Sequence, residues 1–184
     1  SKATVRLGTG GGTFGAATSY TTNDAASNAI SLADLNNDGN LDLISAGDRA
    51  LGGLVSVFLG TGSGTFGSVR SYAAEAVSNN GLSLGDLNGD GIIDLVTSGV
   101  DSGGATGAAS VRLGVGDGTF GSLATYAAEG SSSKGANLGD LNGDGILDLV
   151  TVGSSAGGRA TIRLGNGNGT FGAAVSYLTS NTNG

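Results

Sequence analysis

The chain has 184 residues, 38 of them glycine, and contains no cysteine, histidine, tryptophan, methionine or proline. Without cysteine and histidine it has no disulfide, no thiol chemistry, no Cys-ligated zinc site and no Ser–His, Cys–His or HExxH catalytic arrangement. The formal net charge of −7 argues against a nucleic-acid partner, and the short apolar runs predict no membrane span.

The high glycine content would suggest disorder in a chain without a period, but this sequence repeats. The tetrapeptide Gly-Thr-Phe-Gly begins at residues 12, 64, 118 and 169, and each of its phenylalanines is followed six residues later by a tyrosine. We predict a single domain over residues 1–184. It consists of a half repeat at 1–22 and full repeats at about 23–74, 75–128 and 129–179.

The half repeat comes first and contains two predicted strands, residues 4–7 and 14–20. In the last full repeat, a period-2 hydrophobic pattern predicts strands A (136–141), B (147–152), C (160–164) and D (171–177). An even spacing places Phe171 and Tyr177 on one face of strand D. The Gly/Asn-rich segment between C and D is typical of a hairpin turn.

Four short antiparallel strands in each repeat predict an all-β fold of β-propeller blades, with about three and a half blades per chain. A β-sandwich is the alternative, but it gives no reason for such regular repetition. Propellers usually close with about four to eight blades, so one chain would leave open sheet edges. We therefore expect a homo-oligomer or a part of a longer repeat array. A lone chain that closes or caps itself is the other option.

Each full repeat carries an Asp-x-Asn-x-Asp-Gly-x-x-Asp loop between strands A and B, at residues 34–42, 86–94 and 140–148. These loops hold nine of the fifteen acidic residues. Side chains at positions 1, 3 and 5, a carbonyl at position 7 and a carboxylate at position 9 form a set of hard oxygen ligands that suits Ca²⁺. A cation would also relieve the repulsion among the carboxylates. The alternative is an Asx-rich turn without a metal.

The segments IIDLVT at residues 92–97 and VRLGVGDGTFG at residues 111–121 resemble the FG-GAP repeat, also called the VCBS repeat. That family includes the propeller of integrin α-subunits and many bacterial surface proteins. The resemblance covers essentially the whole chain, and it implies propeller blades with Ca²⁺ in the A–B loop, hence three calcium sites per chain.

The resemblance also implies the ligands of each site. In the first loop they are Asp34, Asn36, Asp38, Asn40 (through its carbonyl) and Asp42. In the second loop they are Asp86, Asn88, Asp90, Ile92 (through its carbonyl) and Asp94. In the third loop they are Asp140, Asn142, Asp144, Ile146 (through its carbonyl) and Asp148.

Two sets of repeated side chains have a structural and a binding interpretation. The Phe and Tyr of strand D are predicted to fill the core between neighbouring sheets, with a sugar-stacking platform as the alternative. Arg6, Arg112 and Arg163 share the outward position of strand C, where the second unit has Phe58. Their stems are predicted to cover apolar surface and their heads to be hydrated, and a binding stripe is the alternative.

The B–C and D–A loops share the end of the sheets opposite the acidic loops and vary in length and content. They are residues 21–28, 47–53, 73–81, 99–107, 127–135 and 153–158. They contain most of the remaining acids, namely Asp24, Asp48, Glu75, Asp101 and Glu129. Because loops on a rigid scaffold commonly carry recognition, a glycan or protein ligand is expected on this variable-loop face.

The sequence therefore predicts a secreted or cell-surface, calcium-stabilised module for adhesion or ligand binding, and not an enzyme. The alternative function is a self-assembling structural subunit of an extracellular filament, sheath or multi-chain propeller, with a designed repeat protein as a variant of it. A missing methionine even at position 1 indicates a processed or excised chain.

Overall fold

A computed structural model describes residues 1–48, 52–74, 78–101, 106–128, 130, 132–154 and 158–179. Within these ranges all regular structure is β-strand, and sixteen strands form antiparallel sheets. No helix in the described part of the chain has the length and apolarity needed to cross a bilayer.

The N-terminal half unit is a hairpin in two short ladders. Strand β1 (Lys2–Val5) pairs with β4 (Thr18–Thr21), and β2 (Gly8–Gly10) pairs with β3 (Thr13–Phe14). The half unit thus has four short strands where two were predicted, because the predicted strand 14–20 is interrupted and the predicted strand 4–7 overlaps β1 alone. The break falls at the position where the third and fourth strands of the full sheets shift register.

Each full repeat forms one four-stranded sheet whose strands pair in chain order. The first sheet contains β5 (Ala26–Ala33), β6 (Asp42–Asp48), β7 (Gly53–Gly60) and β8 (Phe66–Ala74). The second contains β9 (Ser78–Gly85), β10 (Asp94–Val100), β11 (Gly107–Gly114) and β12 (Phe120–Ala128). The third contains β13 (Ser133–Gly139), β14 (Asp148–Gly153), β15 (Arg159–Arg163) and β16 (Val175–Leu178).

The four strands predicted for the last repeat are present, and the fourth is shorter than expected. Strand β16 begins at Val175, and Phe171 is joined to Gly165 only by an isolated bridge. Phe171 is 8% exposed and Tyr177 is 55% exposed. The prediction that these two rings share a face is wrong throughout the chain, because in β8 and β12 the pairing with the third strand shifts register after the phenylalanine. Phe120 therefore contacts the preceding unit and Tyr126 the following one.

The core lies between neighbouring sheets. In β6 and β10 every residue but the last is buried, because each of these strands has a neighbouring unit on both of its faces. One core cluster joins Ile44 and Val57 of the first sheet to Leu95 and Phe120 of the second. A second cluster joins the second sheet to the third in the same way. Each unit thus buries its apolar residues against the next.

The first strands of the three sheets, β5, β9 and β13, lie next to one another. The sheets therefore stand side by side with their first strands along one line, as propeller blades do. The described residues form such blade-like sheets in a row, without a closed propeller. Because successive strands pair antiparallel, the acidic loop of each sheet lies at the same end of its strands, opposite the variable loops.

Candidate functional site

The three acidic loops occupy the positions that the sequence predicts. Residues 34–41 connect β5 to β6, residues 86–93 connect β9 to β10, and residues 140–147 connect β13 to β14. The glycine at position 6 of each loop has a φ of 84°, 79° or 83° (Gly39, Gly91 and Gly145). Glycine adopts this left-handed conformation at little cost, so the sharp turn explains the residue type.

The carboxylate at position 1 organises the loop by accepting backbone amides. The Oδ1 atom of Asp86 accepts a hydrogen bond from the amide of Gly89 at 2.7 Å, and its Oδ2 atom accepts one from Gly91 at 2.8 Å. Asp34 and Asp140 likewise accept the amide of their own position-6 glycine, at 2.8 and 2.9 Å. The backbone is therefore wrapped around this side chain.

Positions 3, 5 and 7 form a second hydrogen-bonded group in each loop. Asn88 donates its Nδ2 to Oδ2 of Asp90 at 2.9 Å and accepts the amide of Asp90 on Oδ1 at 3.1 Å. The amide of Ile92 donates to Oδ1 of Asp90 at 2.8 Å. The same contacts join Asn36, Asp38 and Asn40, and Asn142, Asp144 and Ile146. Positions 3 and 7 of each predicted ligand set are thus linked through the carboxylate at position 5.

The carboxylate at position 9 is fully buried and links the loop to the third strand. Asp94 accepts the amide of Leu87 on Oδ2 and that of Gly114 on Oδ1, both at 2.8 Å. The same two bonds join Asp42 to Leu35 and Gly60, and Asp148 to Leu141 and Gly165. Both oxygens of this predicted ligand therefore hold backbone amides, a structural role that sequence reasoning missed.

The glycine whose amide donates to the position-9 carboxylate also lies too close to the loop backbone for a side chain. A Cβ atom on Gly114 would lie 2.4 Å from the carbonyl oxygen of Ile93, far inside van der Waals contact. Equivalent clashes, at 2.3 and 2.4 Å, would face a Cβ on Gly60 and on Gly165. The repeated Leu-Gly pair after strand C is the sequence signal that could have revealed this close approach.

The amide hydrogen bonds favour the ionised form of the exposed loop carboxylates. The amide of Gly145 holds the pKa of Asp140 below its usual value. The backbone amide of Asn40 likewise holds the pKa of Asp38 below its usual value. Burial raises the pKa of Asp86, but several amides, the strongest that of Gly91, outweigh it and leave the pKa below its usual value.

The buried carboxylate at position 9 of the second loop is shifted the other way. Burial raises the pKa of Asp94, and the negative charges of Asp90 and Asp86 raise it further, although the amides of Gly114 and Leu87 oppose the shift. The loop therefore contains mutually repelling carboxylates. A bound cation would relieve this repulsion, because it favours the ionised form of all three groups.

The donor set fits calcium in kind, because every side chain at positions 1, 3, 5 and 9 offers an oxygen. Asp38, Asp90 and Asp144 are exposed, and a hydrogen-bonded carboxylate oxygen keeps a second lone pair. Over the residues that the structure describes, however, no three acidic side chains form a group that could hold a metal ion. Calcium binding at these loops therefore stays a prediction.

The aromatic residues of the fourth strands pack between units, as the core-filling interpretation predicts. The first three of the repeated tyrosines each meet the phenylalanine of the next unit edge to face, with ring centroids 5.3 to 5.5 Å apart and planes at 86–88°. The pairs are Tyr20 with Phe66, Tyr72 with Phe120, and Tyr126 with Phe171. Such pairs stabilise beyond their buried area, so the period of the sequence specifies the contact between units.

The arginines of the third strands also bridge units, which corrects the expectation of hydrated heads. Arg112 donates to the carbonyl of Gly121 in its own sheet at 2.6 Å and to that of Ala73 in the preceding sheet at 2.9 Å. Its guanidinium lies 5.9 Å from the ring centroid of Tyr72. Arg163 makes the equivalent three contacts. These heads are committed to neighbouring backbone rather than to solvent.

The residues at the equivalent position of the other two units make different contacts. Phe58 replaces the arginine in the first full sheet and packs on the ring of Tyr20, with centroids 5.9 Å apart. Arg6 in the half unit is exposed and donates to the carbonyl of Gly15 in its own hairpin at 2.9 Å. Only Arg6 could thus contribute to a binding stripe.

The described acids of the variable-loop face are held by local hydrogen bonds. Asp24 is buried and accepts the hydroxyls of Thr22 at 2.8 Å and Ser27 at 2.9 Å. Asp48 accepts a hydrogen bond from the side-chain amide of Asn28 at 3.0 Å. Asp101 accepts hydrogen bonds from the backbone amide and the hydroxyl of Thr106. Glu75 and Glu129 lie outside the described residues. The three described acids therefore have structural roles in their loops.

The comparisons with known proteins agree with the repeat seen in the structure. The sequence model of the FG-GAP-like repeat matches residues 34–97 and again residues 86–151. Each match begins at the first aspartate of an acidic loop and ends in the second strand of the next sheet, and together they cover well over half of the chain. No curated protein matches the sequence significantly. The chain therefore belongs to the FG-GAP-like repeat family.

Proposed function

We propose that this protein is a calcium-stabilised, extracellular β-propeller-type repeat module that serves adhesion or ligand binding and has no enzymatic activity. The observation that carries the proposal is the threefold recurrence of one oxygen-only loop with the same internal hydrogen bonds. Positions 1, 3, 5, 7 and 9 of each loop would hold one Ca²⁺ ion. The ion would supply the positive charge that the clustered carboxylates lack.

A non-catalytic role is supported by what the loop carboxylates already do. The chain has no histidine or cysteine to act as a base or nucleophile. Of its acids, those at positions 1 and 9 of the loops accept backbone amides on both oxygens, as Asp86 and Asp94 do. These carboxylates are committed to the backbone and to the proposed cation, so they are poorly placed for proton transfer.

An extracellular location is supported by the family, whose repeats are typical of extracellular and cell-surface proteins. It is also consistent with weak metal sites. Extracellular calcium modules work with dissociation constants of roughly 10⁻⁴–10⁻³ M, because calcium is plentiful outside cells. A structural ion at the loops would then be bound most of the time in that environment.

A glycan or protein ligand is proposed to bind at the variable-loop face. The acidic-loop end of the sheets keeps the same aspartate and asparagine positions and a common core of hydrogen bonds in all three units, whereas the opposite end differs from unit to unit. A rigid scaffold with diverse loops at one end is a common arrangement for recognition. The net charge of −7 makes an anionic partner such as nucleic acid unfavourable.

Calorimetric titration with Ca²⁺ tests the metal directly. We expect a stoichiometry of three ions per chain, one for each loop, and a rise in melting temperature when calcium is added after chelation. A site filled at about 100 times its dissociation constant stabilises the fold by about 2.7 kcal/mol. The variant Asp90→Asn removes one exposed charge while keeping an oxygen for the amide of Ile92, and should lower the stoichiometry to two.

A matched control is Asp117→Asn, which removes the same charge from the hairpin between β11 and β12. It should leave three ions bound and the calcium-dependent shift unchanged. Absence of binding heat and of any thermal shift at millimolar calcium would refute the proposal. If both variants lost bound calcium equally, the loss would come from the change in net charge and not from the loop ligand.

A second candidate function is a self-assembling structural subunit, and one observation favours it. Phe14 of the first unit is 69% exposed and Tyr177 of the last unit is 55% exposed, although their counterparts form the contacts between units. Sheet surfaces of this kind invite association with another chain. Light scattering over a range of protein concentrations tests it, and a strict monomer would exclude it.

A further inference from the structure

The chain contains the same contact three times, and we call this contact a junction. A junction is the packing of the tyrosine and the third-strand leucine of one unit against the hairpin glycine and the phenylalanine of the next. Its aromatic part is the edge-to-face pair, as in Tyr126 and Phe171 at 5.4 Å. The hydroxyl of Tyr126 also accepts the amide hydrogen of Phe171 at 3.2 Å, and Tyr20 accepts that of Phe66 at the same distance.

The second part of a junction is a leucine that fills the space over a glycine. A Cβ atom on Gly118 would lie 2.4 Å from Cδ2 of Leu59, because the leucine of the preceding unit covers this hairpin. Leu7 covers Gly64 and Leu113 covers Gly169 in the same way, at 2.4 and 2.5 Å. In every junction the glycine therefore leaves the space that the leucine of the preceding unit occupies.

The third part, present in two of the three junctions, is an arginine that crosses it, and Phe58 packs on Tyr20 in its place at the first junction. Arg163 donates to the carbonyl of Ala127, the residue after the tyrosine of the preceding unit, at 3.0 Å. Its guanidinium also lies 5.5 Å from the ring centroid of Tyr126. Cation–π and charge-assisted hydrogen bonds reinforce one another here, because both are made by a partly desolvated guanidinium.

The first unit carries one half of a further junction on its outer side. A Cβ on Gly12 would meet no atom within 4 Å, and Phe14 is 69% exposed. Arg6 is exposed at the position of the bridging arginines and donates to its own hairpin only through Nη1, as Arg112 and Arg163 do within their own sheets. We call Arg6, Gly12 and Phe14 the N-terminal face.

The last unit carries the other half. Tyr177 is 55% exposed, and Leu164, the counterpart of the covering leucines, is 47% exposed. Leu178 follows the tyrosine and so offers the carbonyl that the bridging arginines use in the earlier units. We call Leu164, Tyr177 and Leu178 the C-terminal face. Each part of a junction thus has one half at each end of the chain.

We propose that the C-terminal face of one copy of this chain docks on the N-terminal face of a second copy and forms a fourth junction. This inference rests on the second candidate function and identifies its contact. Tyr177 would pack on the partner's Phe14, Leu164 would cover Gly12, and Arg6 would donate to the carbonyl of Leu178. Such a head-to-tail contact repeats from copy to copy, and gives a ring if the rotation closes or a filament if it does not.

Complementarity favours a second copy in this orientation over a two-fold contact between identical faces. Two N-terminal faces would place Arg6 opposite Arg6 and offer no tyrosine for Phe14. Two C-terminal faces would bring tyrosines and leucines together without a hairpin glycine for the leucine to cover. The internal junctions show that only the mixed pairing satisfies all three parts, as with Leu113 and Gly169.

Cross-linking between introduced cysteines tests the orientation, because the chain has none of its own. The variants Thr13→Cys and Leu178→Cys place one thiol beside each face and leave Phe14 and Tyr177 intact. With a short bismaleimide, we expect cross-linked dimers when the two variants are mixed and little when either is alone. The internal control is Ala73→Cys with Thr119→Cys in one chain, which spans an existing junction and should cross-link within the chain.

Sedimentation velocity from micromolar to hundred-micromolar protein measures the association itself. Tyr177→Ala and Phe14→Ala should each weaken it by about tenfold or more, as expected for a central aromatic contact. Val115→Ala is the matched control, since Val115 is 57% exposed on a hairpin outside both faces, and should leave the association unchanged.

The outcomes separate this inference from the functions on which it depends. Association that persists in both face variants, or cross-links that form only between like thiols, overturns the head-to-tail contact while leaving self-assembly intact. A monomer at every concentration overturns both. The calcium titration is a separate test, because it counts the ions bound by the acidic loops.

Discussion

The first unit and the units that follow it are built from one repeated sequence, but their phenylalanines are buried to different extents. Phe120 and Phe171 are each 8% exposed, whereas Phe14 is 69% exposed. The cause lies outside each unit, since the ring that covers a phenylalanine is the tyrosine of the unit before it. The repeat therefore encodes a contact between units more than an independently stable unit, as in other repeat proteins.

The largest expected difference is between Phe120→Ala and Phe14→Ala. Truncating the buried ring of Phe120 removes its contact with Tyr72 and leaves a cavity between the first and second sheets. The free energy of unfolding should fall by about 3–5 kcal/mol. Truncating Phe14 should change it by less than about 0.5 kcal/mol in the monomer, because the ring is exposed.

Urea denaturation at low protein concentration, where association is absent, measures both values. Val115→Ala serves as a second exposed reference outside the junctions. If Phe14→Ala destabilised the monomer as much as Phe120→Ala does, burial by the preceding unit could not be the source of the difference.

The next prediction separates backbone strain from packing with two glycines of equal conformation. Gly12 and Gly118 have φ angles of 78° and 77°, so an alanine at either position costs about 1 kcal/mol for the left-handed backbone. A Cβ on Gly118 would also strike Leu59, whereas one on Gly12 would meet nothing.

We therefore expect Gly118→Ala to cost about 1–3 kcal/mol more than Gly12→Ala, which is the range for overpacking a close contact. Thermal and urea unfolding measure the stability loss of each variant. Because the two glycines have nearly the same φ, the difference between the two losses excludes the cost of the left-handed backbone. Equal losses would mean that the leucine rearranges without cost, and that the glycine is selected by the turn alone.

A smaller difference is expected for the arginines. Arg163→Lys keeps the charge but loses the two-carbonyl bridge to Gly172 and Ala127 and weakens the contact with Tyr126. It should cost about 1 kcal/mol, whereas Arg6→Lys should be nearly neutral in the monomer because Arg6 makes no contact across a junction. Thermal unfolding of both variants checks this, and a neutral Arg163→Lys would contradict the bridging role.

Much of the fold follows from local sequence, and the strands and loops of the full repeats illustrate it. The alternating residues and the Gly/Asn-rich hairpins depend on neighbours in the chain, so the four strands of the last repeat appear within a few residues of their predicted bounds, except for the shortened fourth strand. The acidic loops lie where the spacing places them, because positive φ at position 6 requires a residue such as Gly91.

What the sequence did not reveal depends on contacts between distant segments. The period-2 pattern predicts one buried face, yet β6 and β10 are buried on both faces because each sheet lies between two neighbours. The ninth-position carboxylate of Asp94 looks like a ligand in sequence, and only the fold shows that Gly114 approaches it from the third strand. The second partner of Arg112 likewise belongs to the preceding sheet.

The smallest expected effect compares the interior and terminal units through pH. In the terminal unit the pKa of Asp140 is held below its usual value by the amide of Gly145. In the interior unit burial raises the pKa of Asp86, although amide hydrogen bonds again leave it lowered. A carboxylate with a lowered folded pKa contributes stability above its unfolded pKa of about 3.9, and that stability is lost as pH falls through the folded pKa.

Asp140→Asn removes this titration and should therefore flatten the decline of the unfolding free energy below about pH 4. The effect should be small, because Asp140 is exposed and water screens its charge. Asp86→Asn should also flatten this decline. Asp86 lies in the interior unit, which has a neighbouring sheet on each side. Urea denaturation at a series of acidic pH values, with calcium chelated so that only protons titrate, gives both slopes. If the slopes of both variants match that of the unsubstituted chain, the amide hydrogen bonds do not favour the ionised carboxylates, and the loops owe their conformation to glycine and packing alone.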